Sequence, residues 1–203
     1  LRRLDDVVAC PLPMANVDTD QIIPARFMKQ PRDAGYARFL FHDLRFDEDG
    51  RPRGFVIDDP ACAGAQILVA RRNFGTGSSR EAAVYALVDF GFRCVIAPSF
   101  GDIFASNTIN NGLLPARVDE GACEHLLDAL RTGRRRLSID LESCVVRCGD
   151  ETLPFGIDPV WRTKLLNGWD DIDLTLSHTA RIADYAAVRE TTDAWTVPRR
   201  GGR

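Results

Sequence analysis

The sequence predicts an α/β domain with a mixed sheet flanked by helices, and two stretches carry that prediction. In the first, the short apolar run Gln66–Ala70 is followed by a glycine-rich turn, an amphipathic segment from Ser79 to Phe90 and a second apolar run, Arg93–Ala97. This order is typical of a right-handed crossover between parallel strands. In the second, Arg136–Phe155, apolar and polar residues alternate around a glycine turn, which predicts an antiparallel hairpin.

Capping and turn residues set the other predicted elements. A single domain is predicted over residues 1–190, and residues 191–203 are expected to form a flexible C-terminal tail. The first 60 residues are mostly irregular in pattern. The further elements are a strand near Val7–Cys10, a helix from Ser99 or Asp102 to Asn110, a strand over Leu113–Val118, a helix over Glu120–Arg131, a helix from Pro159 to Gly168 capped by Asp158, and a helix from about Ser177 to Arg189.

The charge balance limits the classes of function. The 203 residues include 26 Lys and Arg against 29 Asp and Glu, a formal net charge of -3. This balance disfavours a protein whose main role is to bind the nucleic-acid backbone. No run approaches the roughly 18 to 20 apolar residues that span a bilayer, and charges interrupt Leu1–Pro11, so no signal peptide is expected. The sequence predicts a cytoplasmic protein without nucleic-acid or membrane partners.

The cysteines and histidines show no metal-ligand spacing. Only one pair of cysteines is close in sequence, a C-x3-C pair within an apparent strand that could still approach a third ligand. The three histidines are far apart, so no metal site is expected on this chain. The residues are Cys10, Cys62, Cys94, Cys123, Cys144 and Cys148, with His42, His125 and His178.

The candidate functional segment is residues 73–81, NFGTGSSRE. It follows a predicted strand and opens a predicted helix, which is where open α/β sheets bind ligands. Glycines such as Gly77 let backbone N–H groups approach a ligand, and a helix N-terminus favours an anion. Arg80 adds a guanidinium that can hold a carboxylate through two parallel hydrogen bonds. The segment therefore predicts an anion site for a carboxylate or a phosphate.

Structural alternatives remain for the polar residues of this region. Ser78 and Glu81 have the spacing of a capping box, in which case the glycines only turn the chain. The string G-T-G-S-S-R lacks the spacing of a P-loop or of a dinucleotide site, which makes nucleotide binding a minor option. Asp18 and Asp20 could be paired catalytic carboxylates, but Asn and Asp residues near a proline favour turn formation.

The residues of six separated stretches resemble a known family. GSSRE, VIAPSFGDIF and NGLLP resemble the swivelling β/β/α domain of the aconitase superfamily, the domain found at the C-terminus of aconitase. NVDTDQIIPARFMK, GYARFLFHDLRFD and the stretch IDP to LLNGWDDIDLTLSHTARIADYAA are similar to small subunits of bacterial 3-isopropylmalate dehydratases. The resemblance covers residues 4–189. It implies a hydro-lyase that interconverts 2-isopropylmalate and 3-isopropylmalate through isopropylmaleate in leucine biosynthesis.

The resemblance also assigns roles to single residues. It implies that Ser78 is the general base, and that Ser79 and Arg80 contact a substrate carboxylate beside Gly77. The loop that in the family approaches the distal end of the substrate corresponds here to Arg26, Phe27, Met28 and Lys29. In the family the Lewis acid is a 4Fe-4S cluster. Because this chain lacks a convincing set of cysteines, the cluster is expected on a large subunit, in a heterodimer or higher assembly acting on a small dicarboxylate.

Two positions depart from the family pattern NFGCGSSREH. Thr76 stands where the family commonly has Cys, and Ala82 where it has His. The departures leave open a related hydro-lyase that acts on another substituted malate, of the citraconate or dimethylmalate type. A non-catalytic anion-binding module is a further alternative, since a glycine-rich loop at a helix N-terminus can hold an anion without chemistry.

Overall fold

A seven-stranded mixed sheet forms the centre of the computed structural model, which describes residues 1–32, 35–193 and 195. The order of the strands across the sheet is β4-β3-β2-β1-β5-β6-β7. Strands β1 to β4 are parallel to one another, and β5 to β7 form an antiparallel meander. The strands are β1 Arg3–Leu12, β2 Ile67–Ala70, β3 Cys94–Ala97, β4 Leu114–Arg117, β5 Arg136–Asp140, β6 Val145–Cys148 and β7 Glu151–Pro154.

The strand β1 joins the parallel and antiparallel halves of the sheet. On one side it runs parallel to β2, with Ala9 opposite Ile67, and on the other it runs antiparallel to β5, with Leu4 opposite Ile139. The register with β5 shifts between Leu4 and Val7, which marks a bulge. The predicted mixed sheet is confirmed. The predicted hairpin is corrected, because a turn after β5 adds a third antiparallel strand.

Eight α-helices lie within the described part of the chain, several of them very short. The predicted helix over Glu120–Arg131 has those bounds, since Asp119 caps its first turn. The helix predicted from Ser79 begins two residues later, and the last predicted helix is preceded by one that the pattern did not indicate. The helices are α1 Thr19–Ile22, α2 His42–Arg45, α3 Glu81–Phe90, α4 Asp102–Asn110, α5 Glu120–Arg131, α6 Pro159–Asn167, α7 Asp171–Leu176 and α8 Thr179–Thr192.

Two hydrophobic cores lie on opposite faces of the sheet. Leu68 and Val95 belong to one core, together with α3 and the aromatic residues of the first 60 positions. Ile67 and Ile96 belong to the other core, together with α5. Because side chains alternate along a strand, the same short apolar runs supply both cores. Burial on both faces explains why the parallel strands are continuous apolar runs.

The chain divides into two compact units, Leu1–Gly168 and Trp169–Arg203. In the described part of the second unit, α7 and α8 leave several large apolar side chains exposed, among them Ile172 and Tyr185. The single domain over 1–190 stays a prediction. The predicted tail over 191–203 lies mostly outside the described residues. No helix among those described is long and apolar enough to span a membrane.

Two glycines allow the loops at the carboxyl edge of the sheet to pack closely. Gly75 has a φ of +74° and lies against the ring of Phe104, so a Cβ at this position would overlap with that ring. Gly101 lies against the backbone carbonyl of Gly75, where a Cβ would also overlap. Larger residues at either position would separate the segment after β2 from the segment after β3.

We expect Gly75→Ala to destabilise the fold more than Gly64→Ala. Both glycines have positive φ, +74° and +69°, but a Cβ at Gly64 would meet nothing within 4 Å. Both variants carry the strain of an alanine at positive φ, so the difference between their losses of stability measures the overlap with Phe104. We expect this difference to be about 1–3 kcal/mol in the free energy of unfolding. Urea unfolding of both variants measures it. Equal losses of stability would contradict the proposed close packing.

Candidate functional site

Residues 73–80, here called the serine loop, connect β2 to α3 at the carboxyl edge of the parallel strands. Backbone hydrogen bonds fix the loop to the segment after β3. The Phe74 amide donates to the Ser99 carbonyl at 3.0 Å, and the Gly101 amide donates to the Phe74 carbonyl at 2.9 Å. The Ser99 hydroxyl also accepts from the Asn73 amide at 2.9 Å. The start of the serine loop is therefore held by the chain that enters α4.

The other side of the serine loop is held by the segment that enters α1. The Gly75 amide donates to the Val17 carbonyl at 2.7 Å, and the Thr19 amide donates to the Thr76 carbonyl at 2.9 Å. The Thr19 hydroxyl donates to the Ser78 carbonyl at 2.9 Å. Sequence reasoning assigned no role to Thr19, because its partner lies 59 positions away. The backbone of Ser78 is thus fixed, and its side chain takes no part in these contacts.

Asp18 has a structural role at the start of α1. Its carboxylate accepts from the Gln21 amide at 2.7 Å, and the Gln21 side chain accepts from the Asp18 amide at 3.0 Å. This reciprocal pair is a capping box. The turn interpretation of Asp18 is therefore confirmed, and the paired-carboxylate alternative is wrong for this residue.

Asp20 instead forms an ion pair with Arg80. The guanidinium beside Asp20 holds the pKa of that carboxyl below its usual range, and a hydrogen bond from the Ala25 amide acts in the same direction. The Arg80 side chain is only 13% exposed. Arg80 is therefore a positioned, largely buried charge at the entrance of α3.

The capping box predicted for Ser78 and Glu81 does not form. Arg80 occupies the cap position of α3 with an extended backbone, and its side chain makes no capping hydrogen bond. The Glu81 carboxylate accepts from the Asn111 side chain at 3.0 Å instead. Within the part of the chain that the structure describes, the exposed hydroxyls of Ser78 and Ser79 have no hydrogen-bond partner. Both hydroxyls are free to contact a ligand.

A cavity of about 240 Å³ opens beside Ser78, whereas Ser79 and Arg80 do not line it. It is smaller than the roughly 300–1,000 Å³ of sites for drug-sized molecules, which suits a small organic acid. The first turn of α4 forms the opposite wall, and the sequence analysis assigned no role to it although its motif is prominent. The cavity is lined by Gly75, Thr76, Gly77, Ser78, Gly101, Asp102, Ile103 and Phe104.

The loop predicted to face the distal end of the substrate is a 3-10 turn over Ala25–Phe27. Arg26 donates to Asp43 at 2.8 Å, and this guanidinium lowers the pKa of the Asp43 carboxyl to about 2. Phe27 stacks on Phe39 with ring centroids 4.4 Å apart. Met28 and Lys29 are exposed. None of the four predicted residues lines the serine-loop cavity.

The cysteines of this chain do not fit an iron–sulfur cluster. Five of the six are buried, and Cys144 is half-buried. Burial raises the pKa of the Cys123 thiol to about 12 and raises that of Cys94 further. Cluster ligands are thiolates that converge on one point. Among the described residues, no group of three His, Cys, Asp or Glu side chains is placed to hold a metal.

Comparisons with known proteins identify relatives of this chain. The family model of the aconitase C-terminal domain matches residues 6–121. The 3-isopropylmalate dehydratase small subunit of Rhodospirillum centenum is 47% identical over 193 residues, which are 94% of this chain and 95% of that protein. The protein of the same name from Oceanobacillus iheyensis is 47% identical over 178 residues, 87% of this chain and 92% of that protein.

A solved structure shows the same fold. It is the 3-isopropylmalate dehydratase LeuD of Methanocaldococcus jannaschii, with a TM-score of 0.62 and 25% identity over 88% of this chain and 98% of that chain. The fold and the serine loop define a domain of the aconitase C-terminal type. Within that class, the chain belongs to the family of 3-isopropylmalate dehydratase small subunits.

We expect Asp18→Ala and Asp119→Ala to lower stability alike but to differ in activity. Each carboxylate caps a helix through a 2.7 Å hydrogen bond, so each variant should lose about 0.5–2 kcal/mol. Only Asp18 supports the helix whose Thr19 holds Ser78. Thermal unfolding and the kcat/KM of the complex with the large subunit measure the two effects. Equal kcat/KM values per folded protein would contradict the positioning role of α1.

Proposed function

We propose that this chain supplies the general base and the carboxylate-binding half of a 3-isopropylmalate dehydratase site. As a small subunit it acts with a large-subunit partner, and we place the 4Fe-4S cluster on that partner. The single observation that carries the proposal is the serine loop, whose two free hydroxyls lie beside Arg80 at the carboxyl edge of the sheet. The assembly is a heterodimer or a higher oligomer, and its location is cytoplasmic.

Ser78 is the proposed general base that takes the carbon-bound proton of the malate substrate. A serine hydroxyl is a poor base at its ordinary pKa, so it needs a positive environment that stabilises the alkoxide. The N-terminus of α3 and the guanidinium of Arg80 supply positive charge next to it. The proton returns from Ser78 to carbon when water adds to isopropylmaleate. Departure of the hydroxyl group is assigned to the partner's half of the site.

Arg80 and Ser79 are the proposed carboxylate contacts. A guanidinium has five N–H donors, so its ion pair with Asp20 leaves donors for a substrate carboxylate. Asp20 fixes the guanidinium from one side, which reduces the freedom lost when substrate binds. Gly77 lines the serine-loop cavity, close to Ser79 and Arg80 in sequence, and has a φ of +95° and no side chain to cover its amide.

The two departures from the family pattern, Thr76 and Ala82, differ in their position relative to the serine-loop cavity. Thr76 lines the cavity beside Ser78, so its side chain can affect which substrate is accepted. Ala82 is buried in the core and does not line the cavity. Thr76 is therefore the observation that keeps a second candidate function, a hydro-lyase for another substituted malate. At the distal end Met28, with 41% of its surface exposed, is the apolar residue available for contact.

We expect Ser78→Ala to abolish turnover without destabilising the protein. Removal of a general base lowers kcat by about 10²–10⁴-fold. The Ser78 hydroxyl caps no helix and is exposed, so the free energy of unfolding should change by less than about 0.5 kcal/mol. The complex with the iron–sulfur large subunit, reconstituted without oxygen, is assayed for isopropylmaleate hydration, and the chain alone serves as the inactive control.

Two outcomes would contradict this assignment. A variant that retains wild-type kcat in the complex would remove Ser78 from the chemistry. Turnover by the chain alone, with a stable cluster spectrum, would show that the small-subunit role is wrong.

We expect the complex to prefer isopropylmaleate over citraconate by about 10–200-fold in kcat/KM, because an apolar pocket distinguishes small alkyl groups by only about 1–3 kcal/mol. Met28→Ala should reduce that ratio while leaving the rate with citraconate similar. Because both substrates are assayed with the same protein, a loss of active protein lowers both values of kcat/KM equally and leaves their ratio unchanged. A wild-type preference for citraconate would favour the second candidate function. An unchanged ratio in the variant would place selectivity on the large subunit.

A further inference from the structure

The described residues of the first unit, Leu1–Gly168, expose only three large apolar side chains. They are Met28, Ile103 and Val160, with 41%, 54% and 49% of their surface exposed. Single exposed apolar residues are common on protein surfaces. Their positions are informative here, because Ile103 lines the serine-loop cavity and Val160 lies between two residues that line a second groove.

This second groove, here called the α4–α6 groove, has a volume of about 470 Å³. It adjoins the serine-loop cavity, because the first turn of α4 contributes residues to both. Phe100 and Ala105 line the groove, whereas Gly101 and Phe104 line the cavity. The groove is lined by Phe100, Ala105, Pro115, Arg117, Gly156, Ile157, Asp158 and Trp161.

The walls of the α4–α6 groove are fixed by packing. Trp161 and Ile157 pack against the second hydrophobic core and still line the groove. Lys164 of α6 donates to Asn110 of α4 at 2.8 Å, which joins the two helices. Asp158 caps α6 through the Val160 amide at 2.8 Å. The groove is therefore a preformed slot that combines apolar walls with two charged residues, the exposed Arg117 and the helix-capping Asp158.

We infer that Ile103, Val160 and the α4–α6 groove form the docking surface for the large subunit, an inference that rests on the proposed function. The proposed site is completed by that partner, so the partner must cover the surface around the serine loop. The exposed apolar side chains and the groove continue that surface directly. A second copy of this chain seated there would block the cavity from the partner.

The chemistry of the groove defines the segment it receives. Aromatic and aliphatic walls take an apolar side chain of the partner, and such a buried central contact carries much of the affinity of an interface. Arg117 at the rim suits a carboxylate of the partner, since charges at the edge of an interface fix its register. The partner segment is therefore an apolar side chain with a carboxylate placed to meet Arg117.

The test compares the affinities of three forms of the full chain for the large subunit: the wild type, Val160→Glu and Ala61→Glu. Each affinity is measured by titration calorimetry. The second variant is a matched control, since both residues follow an Asp–Pro pair whose carboxylate caps the helix, and both are exposed. A glutamate in a first helical turn is tolerated by the fold. Val160→Glu should weaken binding by at least about tenfold. Ala61→Glu should bind as wild type.

The kinetics separate docking from chemistry. When the large subunit is saturated with Val160→Glu, kcat should return to the wild-type value, because Val160 does not line the serine-loop cavity. Ile103→Glu should weaken binding as well, and thermal unfolding of each variant confirms that it is folded. Wild-type affinity of both Val160→Glu and Ile103→Glu for the large subunit would show that the proposed docking surface is wrong. The proposed function would still stand in that case, provided that the wild-type complex is active.

Two further outcomes are distinguishable. If sedimentation shows that the wild-type chain is a homodimer that Val160→Glu dissociates, the groove is an interface between copies of this chain and the inference is wrong. If the wild-type chain binds the large subunit but the complex hydrates none of the substituted maleates, the proposed function fails and the measured affinities still decide the docking surface.

Discussion

The close approach of Gly75 to Gly101 is the constraint on which the rest of the site depends. The loops after β2 and β3 lie so near one another that a Cβ at either glycine would overlap with a neighbour. With that contact, backbone amides on both sides hold the serine loop, and the side chains of Ser78 and Ser79 take no part in holding it. The hydroxyls of Ser78 and Ser79 are therefore left for function. Backbone groups hold the loop in place, so its two serine hydroxyls can serve chemistry without a role in folding.

The pair of Arg80 and Asp20 adds an electrostatic constraint to this geometry. Arg80 lowers the pKa of the Asp20 carboxyl, so the pair stabilises the folded state above the ordinary pKa of a carboxyl group. That contribution is lost as the pH falls through the lowered pKa. At neutral pH both groups are charged, and the guanidinium is held at the entrance of α3. On the proposed function, this charge serves both the substrate carboxylate and the Ser78 alkoxide.

The sequence predicted those features that local patterns determine. The bounds of α5 follow from its Asp119 cap, and the end of α3 at Gly91 follows from a positive φ. Contacts between distant segments were not predictable in this way. The capping box failed because Glu81 binds Asn111, 30 positions away, and the ion pair of Arg80 joins segments 60 positions apart. The central place of β1 also depends on non-local pairing, whereas the serine loop and its position after β2 were predicted.

Under the proposed function, the exposure of the serine loop explains why half a site on one chain would be chemically inert until it is covered. In water, hydration of the exposed serine hydroxyl weakens the interactions that stabilise an alkoxide. A partner that covers the cavity removes that water and strengthens the charge of Arg80 and the dipole of α3 at Ser78. The preformed backbone lowers the cost of reaching this state, because the loop does not need to be ordered on binding. Under the proposed function, subunit association is therefore itself the step that makes Ser78 a base.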